Sequence, residues 1–234
     1  LTIVLGGDGT ILGAAELMRE STAPLLGINH GHVGFLAESE RDDLEWTVAQ
    51  ALAGDYDVDE RLVLDVVVTD GEKELFRTFA INEATIEKAS RARMIEVALE
   101  IDGRPISAFG ADGVVMATPT GSTAYSFSAG GPVVWPGVEA LLMVPLSAHA
   151  LFARPLVVGP DSVMAVELLE RSATPAVLWC DGRRGVDIQP GSRVMASRSE
   201  QPIRLARLHP GPFTDRLVQK FSLPVTGWRG PSEK

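Results

Sequence analysis

The sequence has a single cysteine, Cys180, among 234 residues. One thiol cannot build an internal disulfide framework, and such sparse use of cysteine is typical of a reducing compartment, where we expect this thiol to be buried and inert. No apolar run approaches the roughly 20 residues of a membrane helix, and no signal-peptide pattern is present. With 45% hydrophobic and 22% charged residues, the composition is globular. We therefore expect a folded cytoplasmic protein.

Excess positive charge is also missing, since the net charge is -10 and the sequence pI is about 4.9. This balance excludes a general affinity for nucleic acid or anionic membranes, because such binding depends on basic surface that releases counterions. Residues 105–153 contain no lysine or arginine. Any phosphate that the protein binds must therefore be held by local groups.

Residues 1–57 have the alternating pattern of an α/β domain. An apolar run at 1–5 predicts a buried strand, and apolar residues at helical spacing over 11–20 predict a helix behind it. A strand at 24–29 and a helix at 42–53, ended by Gly54, follow. This order predicts a Rossmann-like parallel sheet. An initiator methionine is absent and Leu1 already lies in the apolar run, so we expect further structure before it.

Residues 58–211 change to short β-rich runs separated by glycine turns, as in a β-sandwich. Asp70-Gly71 and Asp102-Gly103 are hairpin-turn dipeptides. Strands are expected at 62–69, from 75, and at 97–101, 114–117, 163–169, 176–180, 194–197 and 203–208. A short helix is expected at 122–129, inserted among them. Residues 212–234 are expected to pack back on the first domain.

The first strand runs into a glycine turn, GGDGT, at residues 6–10. The turn lacks the Lys-Ser/Thr ending of a Walker loop and does not match G-x-G-x-x-G. Clustered glycines before a helix favour an anion site, yet Asp8 would repel a phosphate unless it binds a divalent cation or accepts a proton from an attacking hydroxyl. The alternative is that Asp8 is a helix N-cap. The turn by itself leaves both interpretations open.

Two further constellations are rich in polar groups. Residues 118–132, TPTGSTAYSFSAGGP, combine hydroxyls with glycine amides, which suit ribose and phosphate oxygens. Tyr125 in this segment either stacks on a base or packs in the interior. Asn82 and Glu83 interrupt a β-rich run and either contact an adenosine or alternate between solvent and interior.

The remaining charged and metal-binding residue types give weaker signals. Arg183 and Arg184 follow the Asp181-Gly182 turn and are either phosphate partners or a solvated hairpin tip. The four histidines show no zinc-like spacing with cysteine, and no structural metal is assigned.

Together these motifs resemble the NAD kinase family. The resemblance rests on GGDGT, on the Asn-Glu pair, and on the D-G-…-T-P-T-G-S-T-A-Y-S-x-S-A-G-G-P run, found in that order. Similar stretches are NHGHVGFLAE at 29–38, HALFARP at 149–155 and PVTGWRG at 224–230, the last as in actinobacterial members. GGDG alone is less specific, since diacylglycerol kinases and phosphofructokinases also carry such turns.

The resemblance implies transfer of a phosphoryl group from ATP or inorganic polyphosphate to the adenosine-ribose 2'-hydroxyl of NAD, giving NADP. It implies a divalent cation such as Mg²⁺, homodimers or homotetramers, and an α/β domain followed by a β-sandwich. A further strand and helix would precede the glycine turn, so a chain starting at Leu1 is expected to be N-terminally truncated.

Residue roles carried over from the family name Asp8 as the proton acceptor. The implied NAD contacts are Asp8, Gly9, Asn82, Glu83, Arg93, Asp112, Thr123, Ala124, Tyr125, Ser126 and Ser128. Further candidates for phosphate or nucleotide contact are Gly6, Gly7, Thr10 and Arg183.

The chain departs from the family at four of its residues. Gly13 and Gly110 stand where relatives carry basic residues, and Arg93 and Arg183 stand where relatives often carry His or Gln.

Two other functions remain as alternatives. A lipid or diacylglycerol-type kinase would share the GGDGT turn, although the hydroxyl-rich 118–128 segment does not suit an apolar acceptor. A nucleotide-binding module without turnover would be consistent with Gly13 and with the expected truncation.

Overall fold

The computed structural model describes residues 1–29, 34–37, 39–40, 44–208 and 211–225. It divides into two compact units: Leu1–Arg61 with Ile203–Lys234, and Leu62–Pro202. These limits differ from the expected domain boundaries, which lay after residues 57 and 211. No helix within the described ranges has the length and apolarity to cross a bilayer.

The regular elements, in chain order, begin with β1 (Thr2–Leu5), α1 (Asp8–Leu17), β2 (Leu25–Asn29), β3 (Ser39–Glu40), α2 (Leu44–Ala53), β4 (Asp57–Arg61), β5 (Leu64–Asp70), β6 (Lys73–Ala80), β7 (Glu83–Lys88), β8 (Ile95–Ile101) and β9 (Arg104–Ala111). They continue with β10 (Gly113–Ala117), a 3-10 turn (Thr120–Thr123), α3 (Tyr125–Ser128), β11 (Leu141–Leu146), β12 (Leu156–Val158), β13 (Met164–Leu168), β14 (Ala176–Cys180), β15 (Arg184–Ile188), β16 (Ser192–Arg198), β17 (Ile203–Arg207) and α4 (Phe213–Phe221).

The first unit is built on a mostly parallel sheet, as the sequence predicts. β1 and β17 both pair in parallel with β2, the short β3 also pairs with β2, and β4 closes one edge antiparallel to β17. All five residues of β2 are buried, which is expected for a central parallel strand covered on both faces. α1 buries Ile11, Leu12 and Ala15. This sheet and α1 together place the glycine turn at the carboxyl end of β1.

Two sequence expectations about this unit need correction. The strand at 203–207 belongs to this sheet and not to the sandwich, because it pairs with β2 and β4; strand partners are non-local and are not encoded in the strand's own pattern. The first helix spans Asp8–Leu17 and not 11–20. The second helix is described from Leu44, while residues 42 and 43 lie outside the described residues.

The second unit is an antiparallel sandwich of two six-stranded sheets, ordered β12-β11-β10-β7-β14-β15 and β6-β5-β16-β13-β8-β9. Its core takes buried apolar residues from both sheets, among them Val66, Ile86, Met116 and Val166. In β5 and β8 buried residues alternate with partly exposed ones, as in strands with one face on a core. The expected fold class is therefore confirmed.

The first of these sheets is also covered on its outer face. β10 is buried at all five positions, and a second apolar cluster joins Val115, Ala117, Leu142 and Val144 to Val134 of the segment after α3. The segment 118–134 thus lies across the outer surface of β7, β10 and β11. This covering segment forms one wall of the pocket described below.

The helix expected at 122–129 is two shorter pieces. The 3-10 turn ends at Ala124, whose φ of -103° and ψ of -126° are not helical, and α3 is a single turn. The expected burial of Cys180 is confirmed, and burial, with the nearby Asp181 charge, raises the pKa of its thiol to about 12. A thiol with this pKa is unreactive at neutral pH.

Candidate functional site

Asp8 of the glycine turn has a fixed carboxylate. Its Oδ2 accepts the backbone N–H of Phe35 and its Oδ1 accepts the backbone N–H of Leu36, each at 3.0 Å. Each carboxylate oxygen has two acceptor positions, so one position on each oxygen is not used by the described residues and can accept a bond from a substrate group. The N-cap of α1 is Gly7, without a side-chain hydrogen bond. The N-cap interpretation of Asp8 is therefore wrong.

The turn that holds Asp8 depends on Gly34. A Cβ atom at this position would lie 2.3 Å from Asp8 Oδ1 and 3.0 Å from its Cγ. No side chain fits at such separations without displacing the carboxylate. Gly34 therefore allows the backbone of residues 35 and 36 to approach Asp8 closely enough to donate both hydrogen bonds.

The glycines of the GGDGT turn serve the same geometry. Gly6 has a φ of +149°, a conformation that other residues rarely adopt, and its N–H donates to the carbonyl of Ile28 at 2.8 Å. Gly9 and Thr10 are exposed in the first turn of α1. The helix N-terminus therefore presents an accessible backbone surface next to Asp8.

A pocket of about 350 Å³ lies on the outer face of the sandwich unit. One face of β7 contributes Glu83, Thr85 and Glu87, which follow the two-residue period of a strand. Trp179 of β14 is the cross-strand partner of Thr85. It lines the same pocket, together with Tyr125 and Gly182. The volume is that of a small-molecule site.

Glu83 is the most perturbed carboxyl group in this pocket. It is 7% exposed, and burial together with the negative charge of Asp181 raises its pKa to about 8, although the backbone N–H of Tyr125 donates to it and favours the charged form. Its Oε2 has no hydrogen-bond partner among the described residues. At neutral pH this carboxyl is mostly protonated, so it offers a donor and an acceptor to a ligand.

Tyr125 and Asp112 are each fixed by a charged neighbour. Burial, followed by the charge and hydrogen bond of Glu87, raises the pKa of Tyr125, so the phenol remains neutral and donates to Glu87. Asp112 forms an ion pair with Lys88. Tyr125 as a residue is 39% exposed, and it lines the pocket.

The backbone of Ile81 and Asn82 is held from two sides. The carboxylate of Asp181 accepts the N–H of Ile81 at 3.0 Å and that of Asn82 at 2.7 Å. On the other side Thr118 donates its N–H to the Asn82 carbonyl at 2.9 Å and its hydroxyl to the Ile81 carbonyl at 2.6 Å. Gly121 is required here, since a Cβ would lie 2.0 Å from the Asn82 carbonyl oxygen. The backbone of Ile81 and Asn82 is therefore held in one conformation at the start of β7.

Asp181 is balanced by Arg184. The guanidinium donates to Asp181 Oδ2 at 2.8 Å and to the Phe79 carbonyl at 2.9 Å, and it lies 4.0 Å from the centroid of the Phe79 ring. Only 1% of the Asp181 side chain is exposed. The sequence marks Asp181 only as a turn residue, because its hold on Asn82 depends on a contact across 99 residues of chain.

The structure brings some of the expected site residues together and leaves others apart. In the sandwich unit Glu83 and Tyr125 line one pocket, while Arg93 lies in an exposed bend before β8 and Arg183 is exposed at the β14–β15 turn. Four residues of these sites were not predicted from the sequence: Thr85, Glu87, Trp179 and Gly34. The two-residue period of β7 was a usable signal for Thr85 and Glu87, whereas Trp179 and Gly34 enter through non-local contacts.

The first unit is a mostly parallel α/β unit with a carboxylate in a glycine turn. The sandwich unit carries a polar and aromatic pocket. Together these features are typical of a nucleotide-binding class of protein. Residues 1–56 match the ATP-NAD kinase N-terminal domain, and residues 81–208 match the ATP-NAD kinase C-terminal domain. The chain belongs to the NAD kinase family, whose enzymes phosphorylate NAD to NADP.

Individual relatives agree with this assignment. The chain is 70% identical over 231 residues to the NAD kinase of Leifsonia xyli, covering 99% of this chain and 76% of that protein. It is 64% identical to the NAD kinase of Thermobifida fusca, covering 98% of this chain and 72% of that protein. No comparison supports a lipid kinase.

Solved structures agree as well. Yeast NADH kinase in complex with NADH superposes with a TM-score of 0.87 at 26% identity, covering 95% of this chain and 66% of that one. An NAD kinase from Archaeoglobus fulgidus in complex with ATP has a TM-score of 0.78 at 28% identity, covering 95% and 83%.

Proposed function

We propose that this NAD kinase transfers the terminal phosphoryl group of ATP to the 2'-hydroxyl of the adenosine ribose of NAD, with Asp8 as the general base. The observation that carries the proposal is the Asp8 carboxylate, which is held at both oxygens by backbone N–H groups yet keeps an acceptor position on each. ATP as donor is supported by the Archaeoglobus fulgidus relative, solved with ATP.

The chemical need for Asp8 follows from the acceptor. A secondary hydroxyl is a weak nucleophile because its pKa lies far above 7. A carboxylate within hydrogen-bond distance accepts the proton as the oxygen attacks phosphorus, and such a base contributes roughly 10²- to 10⁴-fold in rate. The two backbone donors keep the carboxylate in one orientation, so little reorganisation is needed at the moment of reaction.

Recognition of NAD is assigned mainly to the sandwich unit. The partly exposed aromatic side chains of Tyr125 and Trp179 line the pocket and suit stacking on a base, and the neutral carboxyl of Glu83 suits ribose hydroxyls. The side chain of Asn82, whose backbone is fully bonded, provides a further donor and acceptor. The other proposed NAD contacts, supported by the family resemblance, are Gly9, Arg93, Asp112, Thr123, Ala124, Ser126 and Ser128. Ser126 Oγ is buried without a hydrogen-bond partner among the described residues.

Phosphate binding is assigned to the N-terminus of α1. Its first N–H groups lack partners within the helix, and the helix dipole favours an anion there. Gly6, Gly7 and Thr10 belong to this turn, and Arg183 is a further candidate at the hairpin tip. A local site of this kind is what a chain of net charge -10 requires.

A divalent cation fits as a companion of the phosphates. Within the described ranges no group of three or more His, Cys, Asp or Glu side chains could hold a metal by itself, whereas Mg²⁺ is commonly bound by one or two carboxylates and substrate phosphates. Asp8 is the carboxylate available for this role in the glycine turn. The cation would neutralise charge on the transferred phosphoryl group.

The variant Asp8→Asn tests the proposal. NADP formation from NAD is measured with ATP and, in a parallel arm, with inorganic polyphosphate, while calorimetry measures the Kd for NAD. We expect turnover to fall at least about a hundredfold with NAD affinity within a few-fold of the parent. The asparagine also leaves one backbone N–H facing an amide N–H₂, so a small loss of stability is expected.

Unchanged turnover in Asp8→Asn would exclude Asp8 as the base. Turnover with polyphosphate and none with ATP would show that polyphosphate, and not ATP, is the donor. Light scattering on the same samples tests assembly into the homodimer or homotetramer that the family resemblance implies.

A further inference from the structure

The turn formed by residues 34–37, which we call the amide turn, is bonded to arginines on its carbonyl side. Arg216 Nη1 donates to the Phe35 carbonyl at 3.3 Å and to the Ala37 carbonyl at 2.9 Å. Arg207 Nη1 donates to the Leu36 carbonyl at 3.1 Å. Three successive carbonyl groups of this turn therefore accept hydrogen bonds from guanidinium groups.

The opposite side of the same turn donates to Asp8. The carbonyl of Phe35 and the N–H of Leu36 belong to one peptide group, so a guanidinium lies at one end of that group and the Asp8 carboxylate at the other. Hydrogen bonds in such a series polarise one another and strengthen. Arg216 is thus coupled to Asp8 through a single peptide plane.

The C-terminal helix α4 supplies both Arg216 and an aromatic contact. Phe35 packs against Phe213 at a ring-centroid distance of 5.6 Å and against Phe221 at 6.2 Å. These two rings and Arg216 approach the amide turn from the same helix. The helix therefore fixes the turn by apolar packing and by charge-assisted hydrogen bonds.

Arg207 is anchored independently of α4. It lies on β17, is 8% exposed, and donates through Nε to Asp59 on the neighbouring β4 at 3.2 Å. Its guanidinium is therefore held by the sheet. Arg216, by contrast, reaches the turn from a helix with no buried residue, so its contribution can be removed without opening the core.

We propose that Arg216 is a positioning residue for catalysis, which holds the amide turn so that its two N–H groups keep Asp8 oriented toward the acceptor hydroxyl. The proposal rests on the proposed role of Asp8 as the base. It assigns to the C-terminal helix a part in phosphoryl transfer that does not involve contact with either substrate.

The test compares Arg216→Met with the matched variant Arg204→Met. Methionine keeps an apolar stem and removes the guanidinium. Arg204 also lies in the first unit, where it pairs with the exposed Glu60 and donates to the Thr22 carbonyl, and among the described residues it makes no hydrogen bond to the amide turn. For Arg216→Met we expect kcat to fall about ten- to a hundredfold, since small misplacements of a reacting group have effects of that size, with KM for NAD and ATP within about twofold. Arg204→Met should behave like the parent.

A double-variant cycle separates positioning from a general structural role. If Arg216 acts through Asp8, adding Arg216→Met to Asp8→Asn should lower kcat no further, because the two residues work as one unit. Arg216→Lys should recover part of the loss, since an ammonium can reach one of the two carbonyls.

Three results would overturn the inference. These are parental kcat in Arg216→Met, multiplicative effects of the two substitutions, or a loss explained by unfolding at the assay temperature. Each of these leaves the proposed function intact if Asp8→Asn alone lowers turnover at least about a hundredfold. Full turnover in Asp8→Asn would instead refute the proposed function.

Discussion

The buried carboxyl of Glu83 makes a quantitative prediction about stability and pH. Its pKa in the fold is about 8, against an ordinary value of 4.5. Below pH 4.5 the carboxyl is protonated both in the folded and in the unfolded chain. Between pH 4.5 and 8 the folded state keeps the proton and the unfolded state loses it, so the free energy of unfolding falls as pH rises, by up to about 1.4 kcal/mol per pH unit.

The substitution Glu83→Gln removes this penalty, because the amide is neutral at every pH. From pH 5 to pH 7 the free energy of unfolding of Glu83→Gln should therefore rise by roughly 2 to 3 kcal/mol relative to that of the parent. Urea unfolding at pH 5, 6 and 7, followed by tryptophan fluorescence, measures this change, and comparison with the parent cancels the titration of the other groups.

A matched control is Glu72→Gln, which alters an exposed carboxylate at the β5–β6 turn. Its stability difference from the parent should stay constant over the same range. Parallel pH dependences for Glu83→Gln and the parent would show that Glu83 is ionised in the fold and would refute the reasoning. The role in NAD recognition that we assign to a neutral Glu83 carboxyl would then be wrong as well.

Two further substitutions test how the site residues are held. Gly34→Ala places a Cβ 2.3 Å from Asp8 Oδ1 and should lower kcat about tenfold or more in the NADP assay. The control Gly211→Ala, whose Cβ meets no atom within 4 Å, should keep the parental kcat. Equal kcat values in the two variants would show that the turn adapts to the added Cβ. Asp181→Asn keeps the left-handed backbone that Asn tolerates but removes the charge facing Arg184. Asp181→Asn should lower the free energy of unfolding by roughly 3 kcal/mol and weaken NAD binding. The control Asp187→Asn, at an exposed position, should do neither. Parental NAD affinity in Asp181→Asn would refute the idea that Asp181 positions Asn82 for binding.

Local sequence patterns identified much of the architecture because they report each element's own surroundings. The apolar run before the glycine turn predicts β1, and the β-rich runs separated by Asp-Gly turns predict the sandwich. The pattern of residues 203–207 predicts a strand equally well in either unit. Its pairing with β2 and β4 joins it to strands that are far away in the sequence, and no local pattern carries that information.

The amino-acid sequence by itself determined the family, the catalytic candidate Asp8 and the segments around Asn82 and Tyr125, because these motifs are contiguous and their residue types suit phosphoryl transfer and nucleotide binding. Tertiary structure decided what holds them. Asp8 is oriented by N–H groups 27 and 28 residues away, Asn82 by a carboxylate 99 residues away, and the amide turn by Arg216, 179 and 181 residues away from its partners. Hydrogen bonds require proximity in space, and only the folded chain brings such distant groups within 3 Å or so of one another.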